Sequence, residues 1–238
     1  DGGGFSSCLR ERGKIMVQKE QISRKTEEEE AQKWRVWLRG GTYVFGMLVL
    51  AMGLTLNTKA GLGVSPIISV PYSLSQIFSL DFGNTTLVFY ILFVLVQIGL
   101  HRGRAIWKDL LQVPLAIVFT RFLNLYAAWL PEGPTVLWQQ LLVLLMAFLC
   151  TGVGAAMTVN AHLVPNPGDG IVAALGETIH RPMGFAKNVF DLCNACITLA
   201  IGFICGQPMV GIGVGTLLAV IVVGRVIALY NHFIRLRF

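Results

Sequence analysis

The chain has 238 residues, 54% of them hydrophobic and 13% charged, with a mean hydropathy of +0.65. A soluble domain carries roughly 25% charged residues, so this composition excludes an ordinary water-soluble fold and points to the bilayer. The formal net charge of +6 comes without a basic stripe interleaved with aromatics, which excludes a nucleic-acid surface; Lys and Arg flanking apolar runs are the mark of cytoplasmic loops.

Residues 1–38 form a polar tail with Arg10, Arg12, Lys14 and four consecutive glutamates, Glu27 to Glu30. The apolar core and small-residue cleavage site of a signal peptide are missing, so the tail is expected to stay cytosolic, helical from about Gln18 to Arg35, with Met16 as an alternative start. The first span runs from Val36 to Thr58, entered through Trp34, Trp37 and Arg39 at the interface. Gly46 and Gly53 share a face of that span, which lets a neighbouring helix approach closely. Ser65 to Leu80 is interrupted by Pro66 and Pro71 and falls short of the roughly 20 apolar residues a span needs. Asn84 to Leu100 and Leu110 to Leu130 are uninterrupted apolar runs. The plan then recurs: Val136 to Asn160 spans, Pro165-Asn166-Pro167-Gly168 breaks the chain, and Ile171 to Met183, with Glu177, His180 and Arg181, is too short and polar to cross. Phe185 to Cys205 and Met209 to Phe233 complete it.

Setting Pro66 on Pro167 gives an offset of 101 (167 − 66), which also sets Gly53 on Gly154, Gly83 on Gly184 and Phe89 on Phe190. Arg121 matches Arg225 and Tyr126 matches Tyr230 at an offset of 104 (225 − 121), so the second copy carries a three-residue insertion. The positive-inside rule decides whether the broken segments cross. With eight spans, Lys59, Arg102, Arg104 and Lys108 lie outside against Arg181, Lys187, Arg235 and Arg237 inside; with six, only Lys59 lies outside. Three spans per copy is an odd number, so the second copy is inverted. The expected fold is all-α: a polytopic membrane protein of six transmembrane helices in two inverted three-span repeats, 39–134 and 135–238, each with a short re-entrant broken helix. Both termini are expected in the cytoplasm, a cysteine at Gly133 reacting from outside and one at Gly103 not.

Gly53 to Asn57, the Gly61-Leu62-Gly63-Val64-Ser65-Pro66 break and Gly83 at the next helix entry resemble the YczE/YyaS/YitT family of bacterial multi-span membrane proteins, over about residues 40 to 238. The resemblance implies a bacterial inner-membrane protein and hands over no binding residues. Asn166-Pro167-Gly168 is similar to the Asn-Pro-Ala boxes of aquaporins, but those follow two spans in the first half and these breaks follow one.

Irregular backbone at membrane depth is tolerated only where protein or a polar cavity covers it, so both breaks are expected to face inward. A helix opening on Pro presents free N–H groups and the positive end of its dipole, which favours an anion or a polar solute oxygen. The expected substrate-binding residues are therefore Ser65, Pro66, Asn166, Pro167, Gly168 and Asp169, with Ser65 and Asn166 as caps. Arg121, Asp191 and Arg225 join them as charges inside spans, where an unpaired charge costs at least ~2.5 kcal/mol. Asp191 and Arg225 are expected at similar depth, roughly 9 and 12 Å from the cytoplasmic surface at about 1.5 Å per residue, and so to pair. Cys193 and Cys196 have redox or zinc spacing but sit in a span and are expected as buried thiols; no metal or cofactor is implied. The histidines are scattered and no catalytic constellation converges on one loop, so the chain is not expected to be an enzyme. The function read from this pattern is a small-solute transporter or channel with a site between the repeats, its partners being lipid and a small polar or anionic solute. The alternative is a non-transporting interaction or regulatory membrane protein, whose sign is broken segments packed dry with no polar cavity.

Overall fold

The computed structural model describes residues 3–102 and 106–233, with side chains from Glu30 onward apart from Ala31 and Met183. The expected label at Gly103 and the arginines at 104, 235 and 237 lie outside the described residues. Contacts separate two compact units, one up to Gly41 and one from Thr42 onward; the second carries the site. The elements are α1 (Gly3–Lys59), α2 (Pro66–Ile77), α3 (Phe82–Leu100), α4 (Ile106–Leu110), α5 (Gln112–Trp129), α6 (Leu137–Asn160), α7 (Pro167–Thr178), α8 (Met183–Ile204) and α9 (Val214–Phe233). Helix α1 begins well before the expected Gln18.

Among the described residues, six helical stretches are long and apolar enough to cross a membrane: Gln32–Lys59, Phe82–Leu100, Ile106–Trp129, Leu137–Asn160, Gly184–Ile204 and Val214–Phe233. The protein is a multi-pass membrane protein. Helices α2 and α7 have 12 residues each, which at 1.5 Å per residue reach roughly 18 Å against a hydrocarbon core of about 30 Å. Between α4 and α5 the helix is interrupted at Leu111, because Pro114 has no N–H to give the Leu110 carbonyl. Leu, Val and Ile side chains such as Val88, Leu95, Leu141, Leu145, Leu217 and Ile221 are exposed, whereas Thr55, Asn57, Ser69, Thr86, Gln97 and Gln112 are buried. That is the arrangement lipid demands: apolar atoms face the tails, and polar contacts and close backbone approach join the helices.

The elements repeat at the offset legible in the sequence. Helices α2 and α7 start 101 residues apart and both end on a left-handed residue, Ser79 (φ 51°) and His180 (φ 53°), also 101 apart. The same backbone bond closes each, Leu80 N to Ser75 O at 2.8 Å and Arg181 N to Gly176 O at 3.0 Å. After α3 and α8 the left-handed residues are Arg102 and Gly206, now 104 apart, because α8 has 22 residues and α3 has 19. The three-residue insertion lies there.

Contacts between the copies are reciprocal. A Cβ added to Gly53 would come within 2.4 Å of Thr151 N, and one added to Gly154 within 2.4 Å of Leu50 N, Leu50 being the counterpart of Thr151. Gly168 meets its own counterpart, Ile67: a Cβ there would lie 2.9 Å from Ile67 Cδ1. The first turns of α2 and α7 therefore pack on each other. Ser69 and Thr198 share a hydrogen bond of 2.7 Å, and their counterparts Gly170 and Gln97 also touch.

Candidate functional site

The second break is built as a cap. Pro167 opens α7 with φ already set, and Asn166 Oδ1 accepts from Gly168 N at 3.4 Å. Ser65 holds the matching position before α2, but its side chain makes no capping bond; its own N–H donates instead to Asn57 Oδ1 at 3.0 Å. The expected Ser65 cap is thus corrected: Asn57, on the preceding helix, takes up that segment's donor.

Beside the first turn of α7 lies a pair of buried amides. Gln97 and Gln112 exchange hydrogen bonds of 3.3 and 2.8 Å, and Gln97 Nε2 also donates to Pro167 O at 3.3 Å. Gly170 leaves room for them, since a Cβ would meet Gln97 Oε1 at 2.5 Å. From this floor a cavity of about 640 Å³ opens along α7, lined by Ala173, Ala174, Glu177, Thr178 and His180 on one side and Leu100, His101, Arg102, Lys108 and Asp109 on the other. His101 bridges its walls: Nδ1 lies 2.8 Å from Asp109 Oδ2 and Nε2 lies 3.8 Å from Glu177 Oε2. A cavity of this size suits a small ligand, with apolar walls and a few convergent polar groups to orient it.

The corresponding face of the other copy is closed. Ser73 Oγ donates to Val210 O at 2.7 Å, Val64 N to Gly211 O at 3.0 Å and Gly215 N to Leu62 O at 2.7 Å. Gly211 fits there with a φ of 81° and no side chain, since a Cβ would lie 2.6 Å from Ser73 Oγ. On the cavity side Ala174 replaces Ser73 and has no hydroxyl, and Pro165 replaces Val64 and has no N–H. The third donor, Leu111 N, is spent on Trp107 O at 3.1 Å. None of the three sealing bonds has its equivalent, so that face stands open.

The residues expected from sequence fall elsewhere. None of Ser65, Pro66, Asn166, Pro167, Gly168, Asp169, Arg121, Asp191 and Arg225 lines the cavity, although Pro165 and Gly170 flank the second break and do. Asp191 does not pair with Arg225: Lys187 Nζ, one turn back on α8, lies 2.8 Å from Asp191 Oδ2. Arg225 is exposed on α9, which packs along α6. Depth along a span does not fix which way a side chain points. Arg121 is also exposed and donates to Asn84 Oδ1. Cys193 and Cys196 are free and exposed rather than buried, since they lie off the packed face of α8. Sequence reasoning missed Gln97, His101, Asp109 and Gln112. The available signal was two amides in otherwise apolar runs, each too polar to face lipid.

A family model described as a family of unknown function, DUF6198, matches residues 37–232. The chain belongs to the DUF6198 family. This DUF6198 chain is 28% identical over 196 residues to the uncharacterized membrane protein YczE of Bacillus subtilis (strain 168), covering 82% of this chain and 86% of that protein. It is 23% identical over 193 residues to an uncharacterized protein of Haemophilus influenzae (strain Rd), covering 80% and 82%. These matches bear out the resemblance to a YczE-like family. No solved structure matches the chain.

Proposed function

We propose that this protein moves a small polar or anionic solute across a bacterial inner membrane. In this reading it is built as two inverted three-span repeats, α2 and α7 are re-entrant, both termini are cytoplasmic, and no catalysis is involved. The observation that carries it is the cavity beside α7, open where the corresponding face of the other copy is hydrogen-bonded shut. A duplicated protein with one face open and its counterpart sealed has the asymmetry that alternating exposure of a central site requires. Arg102 and Lys108 balance Asp109 and Glu177 around the cavity, and His101 lies between the two carboxylates; a lining with both signs and two buried amides suits a small polar solute, with the two cations offering contacts to an anionic group. The alternative, an interaction or regulatory protein, draws support from the dry contact of Ile67 on Gly168, but leaves the polar cavity without a use.

The test is uptake of a panel of small polar and anionic solutes into proteoliposomes, comparing the wild type with Ala173→Trp, which fills the cavity from a half-buried position. At least one solute is expected to accumulate, and the Trp variant to lose about tenfold or more of the rate. Leu92→Trp, on the lipid-exposed face of α3, should not change it. Equal uptake with and without the filled cavity overturns this site, and no uptake by the wild type of any solute favours the regulatory reading.

Orientation is tested by cysteine labelling in a cysteine-free background. Gly133 is a poor position, because a Cβ there would meet Lys59 O at 1.9 Å. Glu132, whose side chain is 99% exposed, serves instead. Glu132→Cys should react with an impermeant reagent from outside and Arg181→Cys only after permeabilisation; the reverse pattern overturns the topology.

A further inference from the structure

Apart from the cavity, the densest charge in the interior lies where α7 meets α8. Lys187, Asp191, Asn194 and Thr198 follow one another at spacings of four, three and four residues, so they form a single stripe on α8. Each has a partner in hand: Thr198 bonds Ser69, Asn194 Nδ2 donates to Phe190 O at 2.8 Å, and Lys187 Nζ holds Asp191 Oδ2. One atom is left over. Asp191 is 3% exposed, and its Oδ1 is the one buried side-chain oxygen or nitrogen among the described residues with no hydrogen-bond partner. Buried polar atoms are nearly always satisfied, so a bare carboxylate oxygen in a membrane interior calls for an explanation.

The local charge supplies one. Asp169, on the first turn of α7, is near enough for its charge to act on both Lys187 and Asp191, and on Tyr43 from α1 and Tyr90 from α3. Two carboxylates face one ammonium, which leaves one negative charge in excess. The tyrosines do not neutralise it: Tyr43 donates its hydroxyl to Val164 O at 2.8 Å, and Tyr90 is a buried, uncharged phenol. In the other copy the counterparts of Lys187, Asp191 and Asp169 are Thr86, Tyr90 and Ile68, none of them charged. The charges were therefore added to, or kept in, one half only. A divalent ion would overshoot the excess, whereas one monovalent cation cancels it and gives the orphan oxygen its partner.

We propose that Asp191, through Oδ1 and together with Asp169, binds one monovalent cation, either an alkali metal ion or a proton, at the junction of α7 and α8. Lys187 is the internal competitor: it neutralises one carboxylate oxygen and so limits the site to a single charge. The polar stripe continues from this site through Asn194 and Thr198 to Ser69 on α2, so the bound cation sits at one end of a polar seam between the copies. The inference goes beyond the transport reading and is read by binding alone, so a protein that moves no solute in the panel still tests it.

The experiment is thermal unfolding of the purified full chain in nanodiscs, in choline chloride with stepwise replacement by NaCl, KCl or LiCl at constant ionic strength, at several pH values from 5.5 to 8.5. A ligand bound by the native state alone raises stability with its concentration. A saturable rise with one alkali cation identifies that ion; a rise only as pH falls, from extra protons bound by the folded state, identifies the proton. Asp191→Asn should flatten the response or weaken the apparent affinity by about tenfold or more, and Asp169→Asn should weaken it as well. Glu132→Gln, at the surface, should behave as wild type. A wild-type chain indifferent to all three ions and to pH overturns the proposal, as does an Asp191→Asn response matching the wild type. If Asp191→Asn does not fold, an unchanged response in Asp169→Asn overturns it equally.

Discussion

Oxidising a Ser73→Cys/Val210→Cys pair in a cysteine-free background is expected to arrest solute movement by at least about tenfold while leaving binding from the open face intact. The two residues hold shut the face that corresponds to the cavity in the other copy, joined by the hydrogen bond from Ser73 Oγ to Val210 O. A disulfide needs Cα atoms about 4.4–6.8 Å apart, so the yield of cross-linked protein is measured first, and the arrest is read on the cross-linked fraction. Once bridged, the segment around Val210 and Gly211 cannot leave α2, so under the proposed transport a solute would enter from one side and go no further. Reduction should restore the rate. The reduced double variant separates the effect of the bridge from loss of the Ser73 hydroxyl, which alone removes one of the three sealing bonds and should raise leak rather than stop flow. A cross-linked protein that moves solute as fast as the reduced one rejects the sealed face as a gate. The counterpart pair, Ala174→Cys with Ile106→Cys, gives the complementary measurement: its cross-linking should increase when solute is present, as the open face closes over it.

The second large effect is on stability. Gly53→Ala and Gly154→Ala are each expected to cost about 2–3 kcal/mol, because overpacking a close crossing forces the helices apart. At Gly53 the new Cβ meets Thr151 N at 2.4 Å and Cys150 C at 2.9 Å; at Gly154 it meets Leu50 N at 2.4 Å and Gly46 O at 2.8 Å. All four are backbone atoms, which cannot swing aside as a side-chain end can. The two substitutions act on one crossing, so the double variant should lose less than the two single losses combined. Gly99→Ala and Gly224→Ala are the controls. Both lie in helices with nothing within 4 Å of an added Cβ, and should be neutral or stabilising by up to about 1 kcal/mol. Thermal melting in detergent measures all four, and a Gly53→Ala protein as stable as Gly99→Ala would show that the α1–α6 crossing is looser than described.

Composition and pattern determined a good deal by themselves. Hydropathy decided the membrane class, because a chain with so little charge has no other solvent in which to leave its leucines exposed. Proline chemistry favoured where α2 and α7 begin: Pro66 and Pro167 are preset for a helix's first turn, although α2 also runs through Pro71, and the offset between them reappears in the bounds of both helices and in Ser79 and His180 after them. These are local facts, written in neighbouring residues. Whatever depends on azimuth and on distant partners was decided only in the folded chain. Depth arithmetic set Asp191 and Arg225 level with each other, yet Asp191 turned to Lys187 and Arg225 to the outer surface of α9, because periodicity gives height along a helix and says nothing of which neighbour occupies each side. The cavity is the clearest case. His101, Asp109 and Glu177 come from three elements and read in sequence as unrelated loop polarity, and they meet only when α7 lies along α3. Even the openness of that face had its cause in two residues, Ala174 and Pro165, whose missing donors mean nothing until the hydrogen bonds of Ser73 and Val64 on the other side show what they would have done.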